Sequence, residues 1–282
     1  MKNINYFLIA LSLILAPTLY SREIYNIQSN SIRIYEHNEA LLTRLMPLGD
    51  FKMDGEYDVM KHFIRDNDIV FDAGANEGYW TSNVFFMHQP EKIYAFEPIP
   101  TLVELFNSTT KHLGNVELCT LALSNKTELD TFYYYTHEFG VHSSLYDRPR
   151  VQAMFNSIPL KVTVQKVTLD EFCSERSITH IDFLKIDTEG AEFDILKGAN
   201  ELLKKHAIKH IQFEYGQSYY DTKILLKDVL KYLCQHNYVI FKIHPESIVH
   251  VAQWTDSLED FYQSNFLAIA SENAFPYKTI SW

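Results

Sequence analysis

Ile69-Val-Phe-Asp-Ala-Gly-Ala-Asn-Glu-Gly78 sets three apolar residues ahead of a carboxylate and a turn bounded by two glycines, and Tyr79-Trp-Thr-Ser-Asn-Val-Phe-Phe-Met87 follows it directly. Short continuous apolar runs suit parallel strands buried on both faces, so the stretch reads as strand, turn and helix. Ligands of open α/β sheets settle in the crevice outside the carboxyl ends of such strands. Gly74 permits a turn that a side chain would obstruct, Gly78 lets the helix begin close to the strand, and Asp72 places an acceptor beside whatever fills the crevice.

The spacing separates two kinds of ligand. A dinucleotide fold asks for Gly-x-Gly-x-x-Gly, whose second glycine clears room for a pyrophosphate at a helix N-terminus. Asn76 occupies that position here. The pattern Asp-x-Gly-x-x-x-Gly headed by Asp72 suits S-adenosylmethionine instead, which has no phosphate and carries a sulfonium and an ammonium that welcome carboxylates. Further on, Lys92-Ile-Tyr-Ala-Phe96 reads as a second strand ending at Glu97-Pro98, where a carboxylate can accept both hydroxyls of a ribose. Either motif alone is weak, and the two in this order reinforce each other.

The chain of 282 residues has room for one generous α/β domain with additions, and an apolar share of 46% is ordinary for a folded globule. A net charge of −11 without a basic run excludes a general nucleic-acid grip, which needs clustered Lys and Arg. Cys119, Cys173 and Cys234 are widely spaced and odd in number, the pattern of free thiols and not of a disulfide framework or a zinc site. At the N-terminus, Lys2 precedes the apolar run Phe7 to Ala16, then Pro17 and Ser21, the order of a secretory signal peptide. Leu19 fits a cleavage signal poorly, so residues 1–21 are expected to be either a signal peptide or a membrane anchor. That points to the secretory pathway, the cell envelope or attachment to a membrane. A cytosolic methyl donor argues for a cytoplasmic location instead.

Residues 22–65 form an N-terminal extension, expected to supply short strands and a helix over the cofactor mouth, and 66–282 form the main domain. Thr101 to Leu113 carries helix start and stop signals, and Val116 to Leu121 should be the third strand. That strand leads to Ser124, which either faces an adenine or caps a turn. Glu128 to Tyr135 reads as a strand. His137 to Leu160 has no sustained period, and loops of that length are often lids, which makes His142, Ser143, Ser144 and Arg148 candidates for substrate contact. Asp170 suits a cap on a short helix. Ile181-Asp-Phe-Leu-Lys-Ile-Asp-Thr-Glu-Gly190 starts as a strand with Phe183, Lys185 and Asp187 on one side, then turns into a helix with Phe193, Leu196 and Ala199 inward. Asp187 and Glu189 therefore lie at the carboxyl end of a strand. Lys209 to Glu214 repeats that pattern, Asp221 to Gln235 reads as one amphipathic helix, and Tyr238 to Ile243 and Asn265 to Ile269 complete the sheet with an antiparallel edge strand.

Asp72-Ala-Gly-Ala-Asn-Glu-Gly78, Phe96-Glu-Pro98, Leu123-Ser124, Thr168-Leu-Asp170 and Ile181 to Glu192 together closely resemble the FkbM-type methyltransferases. The resemblance spans roughly residues 56–269. It implies a Rossmann-like class I fold with a mostly parallel sheet flanked by helices, and S-adenosyl-L-methionine as cofactor. It also implies methylation of a hydroxyl on a sugar, glycan or natural-product scaffold. By the same resemblance Asp72, Gly74, Asn76 and Gly78 shape the methionine side of the cofactor pocket, Glu97 holds the ribose, and Ser124 lies near the adenine. The catalytic candidates are Asp187, then Glu189, as general base for the acceptor hydroxyl. Lys185 paired with Asp187 would make a structural salt bridge, and Glu189 would cap the following helix. Glu192 reads as structural. Asp187, Glu189 and Glu214 are hard oxygen ligands for a divalent cation, but their spacing follows no ligand pattern, and no metal is assigned. A non-catalytic binding protein in the envelope or secreted, and a nicotinamide oxidoreductase, are the competing functions on the same fold.

Overall fold

The structure, a computed structural model, describes residues 21–22, 32–35, 54–274 and 276–282. The leader expected over residues 1–21 lies, apart from Ser21, outside these. Among the described residues no helix is long and apolar enough to cross a membrane.

The deciding stretch forms the elements its pattern predicts: strand β3 covers Ile69–Ala73, and the helix after Gly78 covers Tyr79–Met87. Lys92–Phe96 is β4 and Val116–Cys119 is β5. Ile181–Ile186 is β9, Ile208–Tyr215 is β10, Tyr238–His244 is β11, Ser247–His250 is β12 and Ser264–Ala270 is β13. With β1 (Ser21–Arg22) and β2 (Arg33–Tyr35) they make one sheet in the order β1-β2-β12-β11-β13-β10-β9-β3-β4-β5. From β5 to β10 every pair is parallel, so the carboxyl ends of β4, β3, β9 and β10 share one edge. The antiparallel part reaches further than two late strands foretell. Strand β13 lies between β10 and β11, antiparallel to both, and β12 returns against β11 as a hairpin. A second sheet, β6 (Ala122–Leu123), β8 (Leu160–Val167) and β7 (Glu128–Tyr134), stands beside the site.

Helices cover both faces. Call Glu56–Phe63 α1, Tyr79–Met87 α2 and Pro100–Thr110 α3. Val59, Met60 and Phe63 of α1 and Trp80 and Val84 of α2 pack against Val70, Phe183 and Leu267 of the sheet, so α1 belongs to the same core as the central strands. The other face carries Leu169 and Phe172, Ile195 and Leu196, Leu202 and Leu203, and Val229, Leu230 and Leu233. They come from α5 (Leu169–Glu175), α6 (Glu192–Lys197), α7 (Asn200–Lys204) and α9 (Leu226–Gln235); α4 is Pro149–Phe155 and α8 Gln217–Thr222.

Several expectations are corrected. The single helix expected over Asp221 to Gln235 is broken, because Lys223 takes a left-handed conformation at the end of α8 before α9 begins. Phe193 is only half-buried against Tyr232, and Ile195 takes the inward position beside Leu196 and Ala199. The described strands of the extension, β1 and β2, pair at the far edge of the sheet beyond β12 and not over the cofactor mouth. Cys119, Cys173 and Cys234 are free, the first two buried.

Candidate active site

The carboxyl edge of the parallel strands opens into a cavity of about 860 Å³. Gly74 lies at its floor because the turn after β3 passes under β9: the amides of Gly74 and Ala75 donate to the Phe96 carbonyl at 3.1 and 3.0 Å, and the Asp187 amide donates to the Ala73 carbonyl at 3.0 Å. A Cβ at Gly74, whose φ is +84°, would stand 1.9 Å from the Asp187 carbonyl oxygen. Asn76 follows at φ +48°, a conformation Asn tolerates better than most residues. Its amide donates to Glu97 Oε2 at 3.1 Å, while the Ile99 amide donates to Oε1 at 2.9 Å. Each oxygen keeps a lone pair for a ligand. Burial pushes the Glu97 carboxyl up to about 7, against the pull of those two amides. Beside it Phe96, Leu102, Leu123 and Phe132 form an apolar slot.

Asp72 does not line the cavity. It is fully buried below the cavity, accepts from Thr81 Oγ1 at 2.6 Å, and lies 3.7 Å from Lys185 Nζ. Gly78 packs under Phe106 and starts α2 without lining the cavity, and Ser124 is buried with its carbonyl against Gly198. Of the eight residues proposed for donor and catalysis, Gly74, Asn76, Glu97, Asp187 and Glu189 meet at the cavity wall, and Asp72, Gly78 and Ser124 support it from behind.

At the end of β9, Lys185 Nζ donates to Asp187 Oδ2 at 3.1 Å. Burial alone would depress the Lys185 ammonium, yet Asp187, Asp72 and Glu56 drive it above the ordinary lysine range. Asp187 Oδ1 has no hydrogen-bond partner among the described residues, and the Asp187 side chain, 39% exposed, lines the cavity. Glu189 turns away from that position. Its Oε2 accepts from Arg148 Nη1 at 2.5 Å, and Arg148, only 3% exposed, also lies 3.4 Å from Asp221 and donates to the His142 carbonyl at 3.2 Å. Glu189 therefore anchors the segment following β7 instead of capping a helix, and Arg148 is a buried clasp and not a free substrate contact. Ser144 Oγ, donating to the Glu189 carbonyl at 2.8 Å, closes the same clasp, while His142 and Ser143 reach the cavity wall. Glu192 accepts from both the Thr188 amide and hydroxyl and from the Gly190 amide, which fixes the turn that carries Glu189.

The sequence reading missed Glu56 and Asn265. Both are buried, and both line the cavity. Nothing in a helical period marks Glu56, the first residue of α1; the Asp54-Gly55 turn ahead of it is the one available sign. Asp187, Glu189 and Glu214 do not converge: among the described residues no group of three such side chains could hold a metal ion.

A parallel sheet with an inserted antiparallel strand and a ligand cavity at its carboxyl edge defines a Rossmann-like class I methyltransferase. Residues 72–240 match the family model of the methyltransferase FkbM domain, and the chain belongs to that family. It is 23% identical over 173 residues to the 2-O-methyltransferase NoeI of Sinorhizobium fredii, covering 58% of this chain and 70% of the relative. It is 28% identical over 160 residues to the 31-O-demethyl-FK506 methyltransferase FkbM of Streptomyces tacrolimicus, covering 49% and 62%. The crystal structure of a methyltransferase FkbM from Methylobacillus flagellatus aligns at 15% identity with a TM-score of 0.47, over 73% of this chain and 44% of that one. The cofactor of the family is S-adenosyl-L-methionine, and the residues present fit it. Glu97 suits paired hydroxyls, the apolar slot beside it suits a purine, and the carboxylates around Asp187 suit a sulfonium. Family membership sets the nicotinamide oxidoreductase aside.

Proposed function

We propose that the protein is an O-methyltransferase acting on a hydroxyl of a sugar or natural-product scaffold, with Asp187 as its general base. The observation that carries this reading is that Asp187 lines the cavity with one oxygen held by Lys185 and the other accepting no hydrogen bond among the described residues. S-adenosylmethionine supplies an electrophilic methyl group. Glu97 and the turn from Gly74 to Asn76 hold the donor, so that much of the acceleration comes from alignment. Asp187 receives the proton of the acceptor hydroxyl as that oxygen becomes nucleophilic. Lys185 keeps the carboxylate in place throughout, held itself between Asp187 and Asp72. The O-methyl chemistry named for NoeI and FkbM supports the assignment.

Calorimetric titration with S-adenosylhomocysteine, paired with a mass-spectrometric methylation assay on a panel of hydroxylated acceptors, tests it. Glu97→Ala should weaken binding by about tenfold or more, equivalent to ~1.4 kcal/mol. Asp187→Asn should bind as the wild type and lose on the order of a hundredfold in kcat. A wild-type protein that is folded and does not bind S-adenosylhomocysteine, or a D187N enzyme with unchanged kcat, refutes the reading.

A further inference from the structure

Strand order lays the cavity out from one side to the other. Glu97 stands after β4, Gly74 after β3 and Asp187 after β9, and beyond them come Glu214 on β10 and Asn265 on β13, the last two paired in register. Strands are spaced at about 4.8 Å, so Asn265 lies three strands from the turn at Gly74. Glu56 reaches the same lobe from α1. The wall there has an unusual charge balance. The two Lys or Arg side chains on the whole lining are Lys185 and Arg148, and both are committed: Lys185 to Asp187 and Asp72, Arg148 to Glu189 and Asp221. Glu56 and Glu214, in contrast, are held by amides, Gln212 donating to Glu56 and Gln263 to Glu214, and neither makes an ion pair among the described residues, Lys185 acting on Glu56 only from beyond that distance. Asn265 is 9% exposed, lines the lobe, and its side chain has no hydrogen-bond partner among the described residues. Ser218, buried at 4% exposure on the same wall, leaves its hydroxyl equally unused.

We propose that the lobe formed by Glu56, Glu214, Asn265 and Ser218 is the acceptor subsite, and that it takes a hydroxylated amine such as an amino sugar. The inference rests on the methyltransferase reading and deepens it. Buried carboxyls without a cation are costly to ionise, and an ammonium bound between them offsets that cost, while the unused amide and hydroxyl match the acceptor's hydroxyl groups. Phosphorylated and carboxylated acceptors find no free cation on this wall. A neutral polyol satisfies the hydrogen bonds and leaves the charge balance unanswered. Burial pushes Glu56 up to about 8 and raises Glu214 well above its ordinary value, the direction expected of carboxyls that are costly to ionise.

The test uses the full chain saturated with S-adenosylhomocysteine, with glucosamine, glucose and glucuronate as probes followed by ligand-observed NMR. Glucosamine should bind about tenfold or more tightly than glucose, and glucuronate weakest. Glu56→Gln and Glu214→Gln should each reduce the glucosamine preference to about twofold or less while S-adenosylhomocysteine binds as in the wild type. Equal binding of glucosamine and glucose, no binding of glucosamine, or a preference that survives both substitutions overturns the proposal. So does weakened S-adenosylhomocysteine binding in the variants, which would assign these carboxyls to the donor. Failure of the wild type to bind S-adenosylhomocysteine at all would instead overturn the methyltransferase reading beneath it.

Discussion

At Gly74 the chain turns with a φ of +84° directly beneath the carbonyl of Asp187, so the turn after β3 and the end of β9 share one close approach. Gly74→Ala should cost roughly 2 kcal/mol or more in urea unfolding, since backbone strain adds to a clash that neither strand can relieve alone, and should abolish S-adenosylhomocysteine binding. A variant with wild-type stability and binding would show that the two strand ends are not held in register there. Spacing signalled this glycine because the turn is local. It did not separate Asp72 from the ligand-facing residues, because Asp72 is turned toward Thr81 of α2 and toward Lys185, and Lys185 is more than a hundred positions away in the chain. The same holds for Glu189. Its place at a strand end was readable, but its capture by Arg148 depends on how an aperiodic segment folds back over the site. Glu56 left no local sign of its burial against Gln212.

Elements were most readable where one local signal sufficed. Strands β3, β4 and β9 begin and end close to where their apolar runs predict, because each is buried on both faces. Strand β12 was missed: Ser247–His250 is a short hairpin return whose place is set by pairing with β11. Capping shows the same limit. Asp170 was expected to cap a short helix, and the helix it caps is α7 and not the one it sits in, which Thr168 caps by accepting from the Glu171 amide at 3.1 Å. Asp170 instead accepts from the Glu201 and Leu202 amides at 2.9 and 3.0 Å, which satisfies the first turn of α7 and ties α5 to it. Asp170→Ala should therefore lower the urea midpoint by about 1 kcal/mol of stability with an unchanged m-value, and leave S-adenosylhomocysteine affinity as it was. An unaltered midpoint would mean the cap contributes nothing.

Across the whole molecule, a polar layer is buried between the sheet and the α1–α2 face: Asp72, Lys185, Gln212 and Glu56 lie above an apolar floor that includes Phe183 and Trp80. Its ionisation links global stability to pH. Glu56 is raised from 4.5 to about 8, so the folded state retains a proton that the unfolded chain has already released. That contribution is fully present below about pH 4.5 and is lost as pH rises toward 8. Glu56→Gln, which cannot ionise, should therefore gain on the wild type in unfolding free energy as pH climbs through this window, by at most about 5 kcal/mol, read from urea unfolding at each pH. A difference between the two proteins that stays constant from pH 5 to pH 8 would show that Glu56 is ionised throughout. The placement of β13 has a consequence for biosynthesis. It is the last strand in the sequence and yet it fills the gap between β10 and β11, so both of those strands present open edges until residues 264–270 have left the ribosome. From the completion of β10 and β11 until β13 arrives, the nascent chain carries unpaired, apolar strand edges, and that interval is when self-association and chaperone capture compete with folding.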